Sequence, residues 1–223
     1  MKQPVAFVFP GQGSQAVGMG ADIYRDSPAA RAVYDIADAT LGFGLSRMCF
    51  EGPEETLRET INTQPALVAT SLALLAALQE TAGAPLDATA PTLRAPLTPA
   101  WVAGHSVGEY AALAASGALD IAATVALARE RGRLMHEQGG AIPSGMAAVL
   151  GMDADALDAI CAEATQQAQQ ELGASGQEHA QHPGLGRVVV ANDNAPGQVV
   201  ISGAQRALEI AMELAKSRGA KRV

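Results

Sequence analysis

The stretch WVAGHSVGEY, residues 101–110, decides the predicted fold. Trp101 to Ala103 reads as a short buried strand, and the composition from Glu109 to Ser116 favours a helix. A serine between glycines at positions 104 and 108 then lies on a tight strand-to-helix turn, where the hydroxyl is exposed and the helix N–H groups favour an oxyanion. The pattern predicts Ser106 as a nucleophile; the alternative is an ordinary serine at a helix start.

A nucleophilic serine needs a base within hydrogen-bond reach, and the sequence offers four histidines. His105 is the neighbour of Ser106 on a turn that points adjacent side chains apart, so it is expected to pack under the turn. His136 falls late in a predicted helix, while His179 and His182 fall in a polar segment. None of the four is recognisable as the base.

A second functional loop is predicted near the N-terminus. Residues 5–9, VAFVF, form a buried strand that runs into PGQGSQ, residues 10–15, as in the first strand and loop of an α/β fold. Gln12 or a backbone N–H of this loop could donate to an oxyanion, although the loop could also be a simple turn. It is not a phosphate-binding P-loop, because no lysine follows the second glycine.

Arg131 follows Ser106 by 25 residues in a helix predicted from Ile121 to Gln138. An arginine suits bidentate recognition of a carboxylate. From spacing alone, a solvated helix arginine is the better interpretation.

The remaining sequence predicts an α/β fold: a parallel-sheet, α/β-hydrolase-like domain with an inserted small ferredoxin-like α+β subdomain. Residues 1–143 are assigned to the large domain. Residues 144–218 read as βαββα, and 219–223 as the start of a return to the large domain. Ser27-Pro28 and Pro53 mark helix starts, and Gln64-Pro65 precedes a core helix that ends at about Thr81. The expected strands and helices of 144–218 are Met146 to Leu150, Asp153 to Leu172, Arg187 to Ala191, a turn over Asn192 to Gly197, Gln198 to Ser202, and Ala204 to Arg218.

Two segments interrupt this pattern. Residues 82–99 are rich in proline and glycine and predict an exposed loop. Residues 166–186 are low in apolar residues and predict a flexible extension.

Composition narrows the class of protein. The chain has 223 residues, 48% of them hydrophobic, and a formal net charge of −8, which argues against nucleic-acid binding. Cys49 and Cys161 are isolated, so we expect no disulfide framework, no metal site and a cytoplasmic location. The longest apolar stretch is too short to span a bilayer, so we expect no membrane association, and a monomer by default. Because the chain stops on entering a predicted strand, we expect a fragment of a longer protein.

Four ordered motifs resemble one family. GQGSQ at 11–15, GHSVGEY at 104–110, the pair Arg131-Gly132 and ANDNAPGQVVISG at 191–203 are similar to malonyl-CoA:acyl carrier protein transacylases. The resemblance implies that Ser106 takes the malonyl group as an ester and that Arg131 binds its carboxylate. It also implies transfer from malonyl-CoA to the phosphopantetheine thiol of an acyl carrier protein in fatty acid biosynthesis, with no cofactor.

The resemblance assigns further roles by position. Gln12 and the backbone N–H of Val107 are implied for the oxyanion hole. His105, Asn192 and Asn194 are implied near the substrate, where asparagines holding a turn are the plainer interpretation of the last two. Members of the family carry their histidine base in a segment that would follow residue 223, so we expect little transacylase activity from these 223 residues alone.

Three alternatives stay open. A serine hydrolase of the α/β type shares the motif around Ser106, a non-catalytic relative could retain carrier-protein binding, and an acyltransferase domain of a polyketide synthase would share all four motifs. A carrier protein is acidic, so docking requires a local basic patch. The candidate patch is the cluster of basic side chains near the C-terminus, Lys216, Arg218, Lys221 and Arg222.

Overall fold

A computed structural model describes residues 4–83, 97–141, 143–174 and 184–223. These residues divide into two compact units, Met1–Glu137 and Gln138–Val223. The sequence predicts a domain boundary a few residues later, after position 143, and that assignment stays a prediction.

The first unit carries two strands and seven helices among its described residues. They are β1 Ala6–Phe9, α1 Ala21–Asp26, α2 Pro28–Leu41, α3 Leu45–Glu51, α4 Glu54–Arg58, α5 Thr60–Thr81, β2 Trp101–Gly104, α6 Gly108–Ala115 and α7 Ile121–Ala141, which ends just past the boundary. The strands pair in parallel, from Ala6 opposite Trp101 to Phe9 opposite Gly104. The predicted α/β class with a parallel sheet is confirmed.

Helix α5 forms the centre of the first unit. Alanine and leucine dominate it, and it is apolar on most sides, as a helix surrounded by protein should be. It is long and apolar enough to cross a bilayer, but 72% of its most apolar 18-residue window is buried within the protein. It therefore has the burial of a core helix, as the sequence predicts.

The start of α5 differs from the prediction. The helix begins at Thr60, one turn before the expected Gln64-Pro65 start, and Pro65 lies inside it. A proline has no N–H to donate to the carbonyl four residues earlier, which is that of Ile61. That carbonyl accepts a hydrogen bond from Arg129 Nη1 at 2.8 Å instead, so a side chain of α7 replaces the missing backbone donor.

The described residues of the second unit form a three-stranded antiparallel sheet with two helices. Its elements are β3 Ser144–Leu150, α8 Ala154–Ala174, β4 Val188–Ala195, β5 Gln198–Ala204 and α9 Gln205–Ser217. The strand order is β3-β5-β4, and β5 pairs antiparallel with both neighbours. Strands β3 and β4 are therefore parallel, with β5 between them, which is the split βαβ arrangement predicted.

The predicted turn over Asn192 to Gly197 is wrong in extent. β4 continues to Ala195, so the connection shrinks to Pro196-Gly197, with Gly197 at a φ of 76°. A Pro-Gly pair supplies the fixed φ and then the positive φ that such a tight turn needs. Asn192 and Asn194 consequently belong to a strand, in a stretch where the pairing register shifts.

The two predicted insertions are only partly described. Residues 84–96 and 175–183 lie outside the described residues, which covers most of the 82–99 loop and the centre of the 166–186 extension. The start of that extension is helical, because α8 continues to Ala174. The final residues pair within the second unit: Lys221 N–H donates to the Leu150 carbonyl, and Leu150 N–H to that of Arg222, both at 2.8 Å.

Candidate active site around Ser106

Ser106 lies on the turn between β2 and α6. Its φ of 53° is in the left-handed region, and no other non-glycine residue among those described has a positive φ. A serine in that region costs about 1–2 kcal/mol, so the surrounding structure must hold it there. The residue is exposed, as the predicted nucleophile turn requires.

Close backbone packing holds this turn. A Cβ on Gly104 would lie 2.1 Å from the Gly108 carbonyl carbon and 2.2 Å from the Glu109 nitrogen, and one on Gly108 would lie 2.4 Å from the Phe9 carbonyl oxygen. Neither position has room for a side chain. The two glycines of the motif therefore let the start of α6 approach the ends of β1 and β2.

The parallel pairing brings the N-terminal loop to the same edge of the sheet. Phe9 and Gly104 are the last paired residues of β1 and β2, and the His105 N–H donates to the Phe9 carbonyl at 3.0 Å. His105 also packs on the loop, since a Cβ on Gly11 would lie 2.4 Å from its Nδ1. This contact matches a histidine that supports the turn; its role towards substrate stays a prediction.

Val107 is buried and precedes the first residue of α6. Its N–H has no hydrogen-bond acceptor among the described residues, whereas the N–H groups of Gly108 and Glu109 donate to the carbonyls of His105 and Ser106. A donor fixed by the helix start and left open beside Ser106 fits an oxyanion hole.

Gln12, the second implied donor, is turned towards α5. Its Nε2 donates to Thr60 Oγ1 at 3.2 Å, and the residue is exposed. The loop around it is held by two short contacts, from Gly13 N–H to Gln15 Oε1 at 2.8 Å and from Ser14 Oγ to the Gly11 carbonyl at 3.0 Å. The oxyanion role of Gln12 stays a prediction.

Arg131 is the residue for which tertiary structure changes the interpretation. Its Nη2 donates to Ser106 Oγ at 2.9 Å and its Nη1 to Gln64 Oε1 at 2.7 Å. A solvated helix arginine, favoured by spacing alone, would make neither contact. Gly132 explains the geometry, because a Cβ there would lie 2.8 Å from the Thr60 carbonyl oxygen, so α7 can approach the start of α5 closely.

Sequence reasoning missed two residues of this site. Gln64 is fully buried and contacts Arg131, and Arg129 anchors the first turn of α5 through the Ile61 carbonyl and Asn62 Oδ1, at 2.8 and 2.5 Å. Desolvation lowers the pKa of Arg129, and its guanidinium lies 4.9 Å from the centre of the Phe43 ring. The available signal was a run of polar residues, Asn62-Thr63-Gln64, at the start of an otherwise apolar helix.

The other candidate residues are placed less informatively. Asn192 and Asn194 lie on β4 in the second unit, so their implied role stays a prediction. His136 is exposed on α7, and His179 and His182 are outside the described residues. Among the described residues, no group of three or more His, Cys, Asp or Glu side chains could hold a metal ion.

The basic cluster near the C-terminus is partly neutralised. Arg218 donates to Glu163 at 2.7 Å, and the Lys221 side chain packs over Gly151. An exposed ion pair of this kind leaves less free positive charge than the sequence suggested. Docking of an acidic partner on this cluster stays a hypothesis.

Comparison with known proteins identifies the relatives of the chain. Residues 6–223 match the family described as "Acyl transferase domain". The chain is 43% identical to the malonyl CoA-acyl carrier protein transacylase of Bacillus subtilis and 39% identical to that of Escherichia coli, each over 221 residues. Those alignments cover 98% and 97% of this chain but 59% and 60% of the relatives, so the chain spans about three fifths of their length.

Solved structures agree. The acyl-carrier-protein S-malonyltransferase of Bartonella henselae is similar with a TM-score of 0.80 and 37% identity, over 99% of this chain and 61% of that one. A malonyl-transacylase solved in complex with a type II PKS acyl-carrier protein also gives a TM-score of 0.80, at 35% identity and the same coverage of both chains.

Proposed function

The chain belongs to the acyl transferase domain family, and from that premise we propose that its Ser106 accepts a malonyl group from malonyl-CoA and passes it to the thiol of an acyl carrier protein. The observation that carries this proposal is the pair of hydrogen bonds that fixes Arg131 between Gln64 and Ser106 Oγ. The free carboxylate of a malonyl ester has its carbon three bonds beyond Oγ, and a cation next to Oγ can bind it there.

The proposed reaction has two half-reactions. In the first, Ser106 Oγ attacks the thioester carbon of malonyl-CoA, the C–S bond breaks, and CoA leaves as its thiol with the proton of the serine. In the second, the phosphopantetheine thiol of the carrier protein attacks the Ser106 ester, and the serine hydroxyl is restored. The Val107 N–H, with Gln12, would bind the oxyanion that forms in each half-reaction.

Arg131 would select the acyl group. A guanidinium that lacks a carboxylate partner carries a desolvation cost that an acetyl group cannot relieve and a malonyl group can. We therefore expect the selectivity for malonyl over acetyl to come from the unpaired positive charge of Arg131 rather than from the size of the pocket.

A proton acceptor for Ser106 is the remaining requirement. Among the described residues, the hydrogen-bond partner of Ser106 Oγ is Arg131, and a guanidinium donates but does not accept protons. We therefore expect slow turnover from these 223 residues. We propose that the base lies in the part of the relatives' sequences that this chain does not cover.

Several finer points belong to the same proposal. We expect the protein to work in the cytoplasm, as a monomer and without a cofactor, with malonyl-CoA as a substrate. The carrier protein could serve fatty-acid or polyketide synthesis, and the relative solved with a type II PKS carrier protein motivates testing both kinds.

Intact-protein mass spectrometry after addition of malonyl-CoA tests the proposal. We expect a mass gain of one malonyl group on the chain, absent in Ser106→Ala and reduced about tenfold in Arg131→Ala. Persistence of the adduct until carrier protein is added would separate a transferase from a hydrolase. Absence of any adduct on a folded chain would mean that acylation needs a base outside these 223 residues, whereas an adduct that persists in Ser106→Ala would contradict the acyl-acceptor role of Ser106.

A further inference from the structure

Gln64 is a fully buried polar side chain that touches the site through Arg131. Its Oε1 accepts from Arg131 Nη1 at 2.7 Å, and its Nε2 donates to Met135 Sδ at 3.1 Å. Arg131 and Met135 are one helical turn apart on α7, so a single amide group of α5 engages two successive turns of α7.

The orientation of this amide follows from the chemistry of its partners. A guanidinium has only donors, so the amide oxygen must face Arg131, and a thioether sulfur is only an acceptor, so the amide nitrogen must face Met135. Exchange of the two ends would put two donors together and leave the sulfur facing an oxygen. Gln64 therefore holds the Arg131 side chain in one position.

The hydrogen bond from Arg131 to Gln64 does not neutralise the charge of Arg131. Carboxylates hold Arg133 and Arg206 elsewhere in the chain, at 2.6 and 2.7 Å. Among the described residues, both hydrogen-bond partners of Arg131 are neutral, an amide oxygen and a hydroxyl oxygen. Two of its five N–H donors are used, and the other three stay open for a carboxylate from the substrate.

We propose that Gln64 is a positioning residue that sets specificity for carboxylated acyl groups, because it fixes Arg131 beside Ser106 without neutralising it. This inference rests on the proposed function. It explains why the position carries an amide: a glutamate would also bond Arg131, but it would pair with its charge before the substrate arrives and would have no donor for Met135 Sδ.

The substitution Gln64→Glu tests this effect, since it keeps the shape of the side chain and, apart from the added charge, removes only the contact of the amide nitrogen with Met135 Sδ. The matched control is Gln79→Glu, the same change at the other buried glutamine of α5, whose amide contacts the Leu97 backbone at 3.1 and 3.3 Å. Both variants add one negative charge to the same helix, but only the first places it against Arg131.

Modification of Arg131 by p-hydroxyphenylglyoxal, read by peptide mass spectrometry on the 223-residue chain, measures the free guanidinium without requiring turnover. In the chain without a substitution, malonyl-CoA should protect Arg131 from the reagent at a concentration at least about tenfold lower than acetyl-CoA needs. This is the difference expected from one charged hydrogen bond. Gln64→Glu should bring that ratio close to one, while Gln79→Glu should leave it unchanged. Exposed Arg47 serves as the internal reference for reagent activity.

The outcomes separate the two proposals. An unchanged ratio in Gln64→Glu would overturn the role of Gln64 and leave the proposed function intact. Equal protection by the two thioesters in the chain without a substitution would overturn carboxylate recognition by Arg131. It would also overturn the inferred role of Gln64. If Gln64→Glu does not fold, Gln64→Met removes the acceptor without adding charge; it should weaken protection by malonyl-CoA about tenfold and leave that by acetyl-CoA unchanged, and equal effects on both would overturn the inference.

Discussion

The sheets of the two units are buried in different ways. In the second unit, the central strand β5 alternates, with Val199 and Ile201 fully buried under α8 and α9. In the first unit, the prediction that β1 and β2 are buried strands is wrong, because they expose Val8 by 73% and Trp101 by 64%. The core of the first unit lies instead among its helices, around α5.

The difference shows how each unit is encoded. The second unit is specified by a local pattern of alternating residues that pairs neighbouring strands. The first unit places its chemistry at the end of two short strands, and its geometry depends on contacts between distant positions, such as Gln64 with Arg131 and Arg129 with Ile61. A site of this kind should fail at single positions that a local pattern would tolerate.

The two cysteines of the chain make this comparison measurable, because one lies in each unit. Burial raises the pKa of Cys49 to about 12 and that of Cys161 to about 11, against an ordinary value of 9.0. At pH 8 the reactive thiolate is therefore scarce in the folded protein and becomes available on unfolding, where the pKa returns to its ordinary value. Alkylation at each cysteine against urea concentration reports the unfolding of each unit.

The largest effect is expected from Gly104→Ala. The added Cβ would overlap the backbone of Gly108 and Glu109, which cannot move aside without breaking the Ser106 turn. We expect a loss of about 3 kcal/mol or more, seen as alkylation of Cys49 at lower urea. Gly173→Ala on α8, where a Cβ meets nothing within 4 Å, should instead stabilise by about 0.5–1 kcal/mol. Equal behaviour of the two variants would contradict the packing described at the turn.

Ile201→Ala tests the second unit. The side chain is fully buried on the central strand, and its truncation should cost about 3 kcal/mol through lost burial and a cavity. Cys161 should then be alkylated at lower urea. The control Met146→Ala, at a residue 62% exposed on β3, should change the urea midpoint little. A larger effect at Met146 would show that β3 is packed differently.

Arg129→Met should cost about 2 kcal/mol. It leaves the Ile61 carbonyl and Oδ1 of the buried Asn62 without their charged donor, and Pro65 cannot replace it. Arg133→Met, on the same helix but with exposed carboxylate partners, should cost less than about 1 kcal/mol. The Cys49 urea midpoints of the two variants give the comparison, and equal shifts would remove the anchoring role of Arg129.

The smallest effect is expected at Ser106 itself. Both Ser106→Gly and Ser106→Ala lose the contact with Arg131, so the difference between them isolates the backbone strain. The glycine variant should be more stable by about 1 kcal/mol, since glycine adopts a φ of 53° without penalty. At Ser116, where φ is −78°, the order should reverse. The same order at both positions would mean that Ser106 is not strained in solution.

The sequence by itself determined the elements that local chemistry controls. The glycines at 104 and 108 predicted the strand, turn and helix around Ser106, and Ser27-Pro28 predicted the start of α2, where Ser27 Oγ accepts from the Ala30 N–H at 3.1 Å. The βαββα order of the second unit was readable for the same reason, because the period of apolar residues differs between strands and helices.

Tertiary structure alone decided the contacts of the site. No local rule places Arg129 on the carbonyl left open by Pro65, which is why the sequence predicts that the helix starts only at Gln64-Pro65. Nor does spacing distinguish a solvated Arg131 from one held by Gln64 against Ser106 Oγ, 67 and 25 positions away. The physical reason is that hydrogen bonds between distant segments depend on how α5, α7 and the β2 turn meet in space, whereas helix caps and the local conformation of a glycine turn depend mainly on neighbours in the chain.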